Sequence, residues 1–380
     1  MHRFTKNTFS IICLLALLTG LTACSPDTPD ISDITATSAE NESGVSSSKP
    51  EKTTLKADIS GSHILMTFDN NFIVDAAYSG PDEDAVDSLF CKSNEIDDDS
   101  LLRVFFNGDS AEKKQLLSGY SYISGNRKID ISKDWSDPRI TFSIEGFDRY
   151  ENVFQGEPDS NFNGSGPLEF MSSSEAVDLV SKTLDSLGIQ HDDKATVKSY
   201  NLAALESMGN IGKSLNQDNK DNPYANYIYT KEDEFYSIKL EPTVDSIVVS
   251  RLFSNTNIGI RAYVSSKGIE KLDIHTTFRK TESPKIDTGN IVPVETALQT
   301  LHDYYLENKK DKKIEVVDVS FKYSARINDE ESGFELIPTW EIISTFKTES
   351  DELMTNFSDI NAYTGEFLPE GEDNTLIIYG

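Results

Sequence analysis

A chain of 380 residues that is 37% hydrophobic and 26% charged can bury a sizeable core, and its length suggests two or three domains. Its formal net charge of -29 sets 64 acidic residues against 35 lysines and arginines, with no basic stripe to offset them. Such a surface repels phosphate backbones and anionic headgroups, which excludes nucleic acid as a partner.

The chain opens with a basic start, His2, Arg3 and Lys6, followed by the apolar run Phe9–Leu21. That run is shorter than the roughly twenty residues a membrane helix needs, and it fits the core of an export signal. It ends Leu21-Thr22-Ala23-Cys24, which resembles the lipobox of bacterial lipoproteins. The resemblance implies cleavage after residue 23 and acylation of Cys24, the lipid attachment site; an ordinary secretory signal is the alternative. Residues 24–56 are rich in Ser, Thr, Asp, Pro and Glu and poor in large apolar side chains. They cannot bury enough surface to offset their ordering, so a disordered tether is expected. With Cys13 in the leader and Cys24 lipidated, Cys91 stands alone and no internal disulfide can form. Its neighbours Leu89 and Phe90, with acidic "EIDDD" downstream, suit a small buried hydrophobe better than a nucleophile.

From Ala57 to Asn163, "HILMTFDNNFIVDAAYSG", "RVFFNG", "SYISGNRKIDIS" and "RITFSIEGF" are β-branched and aromatic runs broken by Asn, Gly and Asp. They read as strands and tight turns, with short helices expected at "DAVDSLF" and "SAEKKQLLSG". "FNGSGPLEF" reads as a linker. Ser172 to Glu175 is a capping box, Ala176, Val177, Val180, Leu184 and Leu187 follow at helical spacing, and Gly188 supplies the stop. Strands are expected next in "ATVKSYNL", "ANYIYTKEDEFYSIKLEPTVDSIVVS" and "GIRAYVSSKGIEKLDIHTTF", with "MGNIGKSLNQDNKDNPY" as a loop.

The plan then repeats. Ala297, Leu298, Leu301 and Tyr305 take helical spacing, and "KIEVVDVSFKYSARI", "FELIPTWEIISTF" and "NFSDINAYTGEFL" read as strands. Leu240-Glu241-Pro242-Thr243 echoes Leu336-Ile337-Pro338-Thr339, and Ala262-Tyr263 echoes Ala362-Tyr363. The fold class expected is therefore α+β. A β-rich N-terminal domain (57–165) precedes two units of one helix packed on an antiparallel sheet (166–288 and 289–380). Trp340, Ile342 and Leu336 share one strand face at period two, which makes Trp340 a core residue. Pro338 suits an edge or bulge, and Thr364-Gly365 a turn.

A helix, a strand carrying Pro338-x-Trp340-x-Ile342, and a last strand running into Asn361-Ala362-Tyr363-Thr364-Gly365-Glu366 together resemble PepSY-type domains. The preceding unit, with "EFYSIKLEPTVDSIVV" and "AYVSSKGIEKL", resembles YycH-type domains and lipoproteins of Gram-positive bacteria. The resemblance covers about residues 170–370 and implies non-catalytic modules that inhibit proteases or modulate sensor kinases outside the membrane. It transfers no catalytic residue, and this chain departs from YycH-type regulators in having a lipid where they keep a membrane helix.

Signatures of zinc, redox, hydrolase and nucleotide sites are missing, so no catalytic residue, cofactor or metal ligand is assigned. His63, His191, His275 and His302 fall in separate elements, and Gly164-Ser165-Gly166 lacks the context of a nucleophile elbow. The acidic loops Ser93–Ser100 and Asn216–Asn222 offer clustered oxygens for calcium without the spaced calcium loop. The leading reading is a lipid-anchored extracytoplasmic protein that binds or regulates another envelope protein. A solute-binding lipoprotein serving a transporter and a cell-wall hydrolase are the alternatives. An aromatic-lined cleft would favour capture, and two convergent buried carboxylates would favour hydrolysis.

Overall fold

The computed structural model describes residues 56–134, 138–157, 162, 164–215, 223–224, 226–252, 258–308, 312–328, 330–348, 350–368 and 374–376. The chain divides into two units, Met1–Thr53 and Thr54–Gly380, and every element below belongs to the second. The expected leader, Cys24, all of the tether but Lys56, and the acidic loop Asn216–Asn222 lie outside the described residues.

The protein is mixed α+β, with strands predominating and five α-helices among the described residues. Four strands open it: β1 (Asp58–Ser60), β2 (His63–Thr67), β3 (Phe72–Ser79) and β4 (Ala85–Ser93). Helix α1 (Asp98–Phe106) leads to β5 (Glu112–Leu116), β6 (Gly119–Ser124), β7 (Arg127–Ser132) and β8 (Arg139–Ile144). A 3-10 turn, Phe147–Tyr150, runs into α2 (Glu151–Gln155), and α3 (Ser173–Ser186), β9 (Thr196–Tyr200) and α4 (Leu202–Leu215) follow. Next come β10 (Phe235–Leu240), β11 (Thr243–Val244), β12 (Ile247–Leu252), β13 (Gly259–Ser265), β14 (Gly268–His275) and β15 (Phe278–Asn290). Helix α5 (Val294–Asn308) and β16 (Ile314–Asn328), β17 (Gly333–Lys347), β18 (Leu353–Asn361) and β19 (Asn374–Leu376) complete it. No helix among the described residues is long and apolar enough to cross a membrane.

Two sheets carry the structure. The first runs β1-β2-β3-β16-β17-β18-β19, with β4, β11, β12 and β15 joined beside that path; the second runs β5-β6-β7-β8-β14-β13-β10-β9. The stretch 57–165, read from sequence as one β-rich domain, thus sends β1–β4 into the first sheet and β5–β8 into the second. Strand pairing is decided by which apolar faces meet, so residues far apart in sequence close both sheets: β3 lies parallel to β16, and β8 lies antiparallel to β14.

Helix α3 forms as its sequence demands. The Ser172 hydroxyl accepts from the Glu175 amide at 3.2 Å, and the Glu175 carboxylate accepts from the Ser172 amide at 2.8 Å. Ala176, Val180 and Leu184 are buried against β10, β13 and β14, and Gly188 takes a φ of 69° that a side chain would resist. Helix α5 buries Ala297, Leu298, Leu301 and Tyr305 against β16–β18, each fully buried leucine contributing about 1.5–3 kcal/mol.

Several local readings are corrected. The strand expected from Ala225 begins only at Phe235, because a 3-10 turn, Lys231–Asp233, precedes it. "RVFFNG" belongs mostly to α1: Asp97 caps the helix by accepting from Ser100, and Leu101, Phe105 and Phe106 fall on its buried face. The stretches expected as short helices, "DAVDSLF" and "SAEKKQLLSG", lie in β4 and β5. Part of the expected loop is α4, whose glycines serve a close crossing with α2. A side chain at Gly212 would meet the Asn152 carbonyl at 1.9 Å, and one at Gly156 would meet the Met208 carbonyl at 1.9 Å.

The proline and tryptophan of β17 anchor the start of α5. Trp340 is 2% exposed, packed between Tyr78 and Phe321. Across β17 and β18 the Ala362 amide donates to the Pro338 carbonyl at 2.9 Å. An antiparallel pair would return that bond, but proline has no N–H. The vacant Ala362 carbonyl instead accepts from the Val292 amide at 2.8 Å, and the Val292 carbonyl accepts from the Trp340 indole at 3.2 Å. Asn361 then folds the turn, its side chain accepting from the amides of Tyr363 and Thr364, while Gly365 sits at φ 73°. Pro338 is therefore tolerated inside a central strand, where β18 has just ended. The Pro242 echo is not equivalent, because Pro242 lies past β10 in an isolated bridge with His191.

Candidate functional site

Where the chain changes sheets, two segments run side by side. Residues after β4 lead to α1, and residues after β14 lead to β15; the Asn94 amide donates to the Thr277 carbonyl at 2.8 Å, and the Thr276 amide to the Pro138 carbonyl at 3.0 Å. Between them opens a cleft of about 310 Å³, with Ile96, Tyr120, Ile131, Ile140 and Ile274 as apolar wall and Asp98, Lys133 and Arg139 among its polar groups. That volume is the size of a small ligand or one large side chain.

Asp98 is the electrostatic centre of this wall. Its carboxylate accepts from the hydroxyls of Tyr120 at 2.6 Å and Tyr122 at 2.5 Å, and from the Lys113 ammonium at 2.9 Å. The two tyrosines stand two apart on β6, so one strand face presents both. Partial burial opposes ionisation of Asp98, but these three donors outweigh it and bring its pKa down to about 2. Burial first, and then the Asp98 charge, push both tyrosines upward. The ammonium groups of Lys113 and Lys133 lie 3.9 and 4.9 Å from the centre of the Tyr120 ring. Thr276, 1% exposed, also lines the cleft at φ 39°, and its hydroxyl has no hydrogen-bond partner among the described residues. A β-branched residue in that region stores about 1–3 kcal/mol of strain.

The acidic loop Ser93–Ser100 thus serves as wall and helix cap: Asp97 caps α1 and Asp98 holds two tyrosines. Among the described residues no three His, Cys, Asp or Glu side chains converge as a metal site would require. The histidines stay apart. His63 meets Asp75 at 2.7 Å on an exposed hairpin, His191 bonds the Asp192 carbonyl at 2.9 Å, and His275 pairs across to Arg139. His302 reaches Asp69 at 3.0 Å under the stacked ring of Phe68, tying the β2–β3 turn to α5. Ser165 seals the β9 edge by donating to the Ser199 carbonyl at 2.8 Å. Cys91 is fully buried, and desolvation drives its thiol up to about 12.

Sequence reasoning missed one buried charge cluster. Arg149, 5% exposed, bonds Asp233 at 3.0 Å and Glu270 at 2.5 Å and donates to the Tyr150 hydroxyl at 2.7 Å. Two buried carboxylates do converge here, on a guanidinium that occupies the space between them. The one sequence signal was an arginine set among Phe147, Tyr150 and Phe154.

No family model and no curated protein matches the chain. Its fold is similar to that of an uncharacterized protein from Eubacterium rectale ATCC 33656, seen in a crystal structure. The two are 18% identical with a TM-score of 0.59, over 81% of this chain and 93% of that one. At that identity the likeness is one of fold alone.

Proposed function

We propose that this protein is exported, anchored at the outer face of the membrane by a lipid on Cys24, and acts by binding another envelope protein without performing chemistry. The observation that carries the reading is the fixed charge of the cleft. A general acid or base works best with a pKa near the ambient pH, whereas Asp98 is held at about 2 and Tyr120 and Tyr122 are pushed above their ordinary value. Groups locked in one protonation state suit recognition. The lining holds Glu95, Asp97, Asp98 and Asp134 against Lys133 and Arg139, so its complement is a basic segment bearing one apolar side chain.

Two units of helix followed by antiparallel meander, α3 with β9, β10 and β13 and α5 with β16, β17 and β18, support the further reading of tandem YycH-type-like and PepSY-like modules. The volume of the cleft favours one competing reading, capture of a small solute for a transporter.

The test is crosslinking in cells from a photoreactive side chain at Arg139, on the cleft, with Lys313 as a distant control. One protein captured from the cleft position alone, and less of it at high salt, supports the proposal; a stoichiometric small solute in the purified chain supports capture. Turnover of a wall glycan or peptide, lost on changing one carboxylate, overturns both. Anchoring is tested by Cys24→Ala, which should move the chain to the soluble fraction and abolish labelling by a palmitate analogue; labelling that persists refutes it.

A further inference from the structure

The face of the second sheet turned away from α3 is only half covered. Phe235, Tyr200 and Tyr263 pack beneath the 3-10 turn, α2 and α4, and the glycine crossing described above holds those helices close. Beyond Phe154 no described residue covers the same face. Thr196 and Lys198 of β9, Ser237 and Lys239 of β10, and Arg261 and Tyr263 of β13 line a cavity of about 430 Å³, with Glu157 at its edge.

The charge of this cavity runs against that of the molecule. In a chain of net charge -29 it gathers three cations and one carboxylate. Register sharpens the point: Lys239 stands directly opposite Arg261, and like charges facing each other across a ladder destabilise the pair. Local carboxylates compensate only in part. Glu157 reaches Lys198 at 2.8 Å and also accepts from the Tyr200 hydroxyl. Glu241 lies 3.5 Å from Lys239 and is shared with Lys322 at 3.7 Å. Arg261 has no ion pair among the described residues, because Asp273 opposite it is held by Lys271 at 3.2 Å and Thr141 at 2.9 Å. Its charge acts on the Tyr263 hydroxyl, where it opposes the rise that burial causes.

We propose that this half-face binds a phosphorylated ligand, its phosphoryl group held between Arg261, Lys239 and Lys198. Three cations against Glu157 and a Glu241 shared with Lys322 leave a positive surplus that an anionic phosphate offsets. The guanidinium fork matches two phosphate oxygens, and the ammonium groups act as point charges beside it. Hydroxyls of Ser237 and Thr196 supply further donors, and the Phe154 ring offers a wall to the organic part the phosphate carries.

The experiment titrates the full chain with inorganic phosphate, by calorimetry and thermal melting, against sodium chloride at matched ionic strength. Saturable binding is expected. Arg261→Gln and Lys239→Gln should each weaken it about tenfold or more, the scale of a charged hydrogen bond. Glu157→Gln, which removes the competing carboxylate, should tighten it. Arg261 and Lys239 are exposed and repel each other, so those two variants should melt no lower than the parent chain without phosphate. A response that chloride reproduces, no saturable binding, or binding that survives the Arg261→Gln, Lys239→Gln double variant overturns the proposal.

A second arm, in a Cys24→Ala background, separates the sources of the phosphate. Capture on phosphatidylglycerol vesicles that is lost in Arg261→Gln and competed by phosphate assigns the site to a lipid headgroup. Phosphate binding without vesicle capture assigns it to a soluble ester.

Discussion

Replacing Trp340 tests how α5 is held to its sheet. The side chain is 2% exposed, and truncating a buried tryptophan to alanine costs about 3–5 kcal/mol in lost transfer energy and cavity. The indole N–H also satisfies the Val292 carbonyl at 3.2 Å, and leaving that half-buried acceptor unpaired adds about 1 kcal/mol. Against a total stability of about 5–15 kcal/mol, Trp340→Ala removes a large share. Trp340→Phe keeps most of the ring and loses only the donor, so about 1–2 kcal/mol is expected for it. Urea unfolding followed by circular dichroism gives both numbers, with the slope checked for constancy. Hydrogen exchange should show the Val292 amide opening faster in Trp340→Ala while amides of α3 stay protected. An unchanged urea midpoint for Trp340→Ala, or an unaltered Val292 amide, would refute the anchoring role.

Gly212→Ala should destabilise by about 1–3 kcal/mol, because its new methyl group meets the Asn152 carbonyl at 1.9 Å; a wild-type urea midpoint would show that α2 and α4 do not cross so closely. Arg149→Met leaves Asp233 and Glu270 buried without their cation and should cost about 3–5 kcal/mol, part of it recovered when both carboxylates are also made amides; a tolerated single variant contradicts the buried triad. Asp98 titrates below its free value of 3.8, at about 2. Its stabilisation is therefore present in full above that free value and lost as the pH falls through the lower one. Acid unfolding of Asp98→Asn should lack that segment of pH dependence, and an acid limb identical to wild type would speak against the network.

What could be read from sequence was local. The capping box of α3, the spacing of α5, the Trp340 face and the Asn361–Gly365 turn depend on residues within a few positions of one another, and the structure has each of them. Helix α4 was missed because Gly209 and Gly212 look like loop residues, whereas their missing side chains make room for Tyr229 and for α2. Strand β5 was misread because Glu112, Lys113, Lys114 and Gln115 favour helix, yet an exposed edge strand places charged residues there too. The division of β1–β8 between two sheets was beyond any local pattern, since β3 and β8 find partners far along the chain. For the same reason the cleft was hidden. Tyr120 and Tyr122 share a face of β6, but the Asp98 they hold sits in an acidic loop whose sequence suggests only clustered oxygens for calcium.

Native mass spectrometry of the full chain, extracted from cells in detergent at low salt, asks directly whether it holds a protein partner. A complex with one other protein is expected, which dissociates as salt rises, since exposed charges are screened within about 8–10 Å at physiological ionic strength, and which is lost when the cleft residues Glu95 and Asp97 are made amides. A chain that flies alone at every salt concentration, or that carries a small solute in place of a protein, would contradict it.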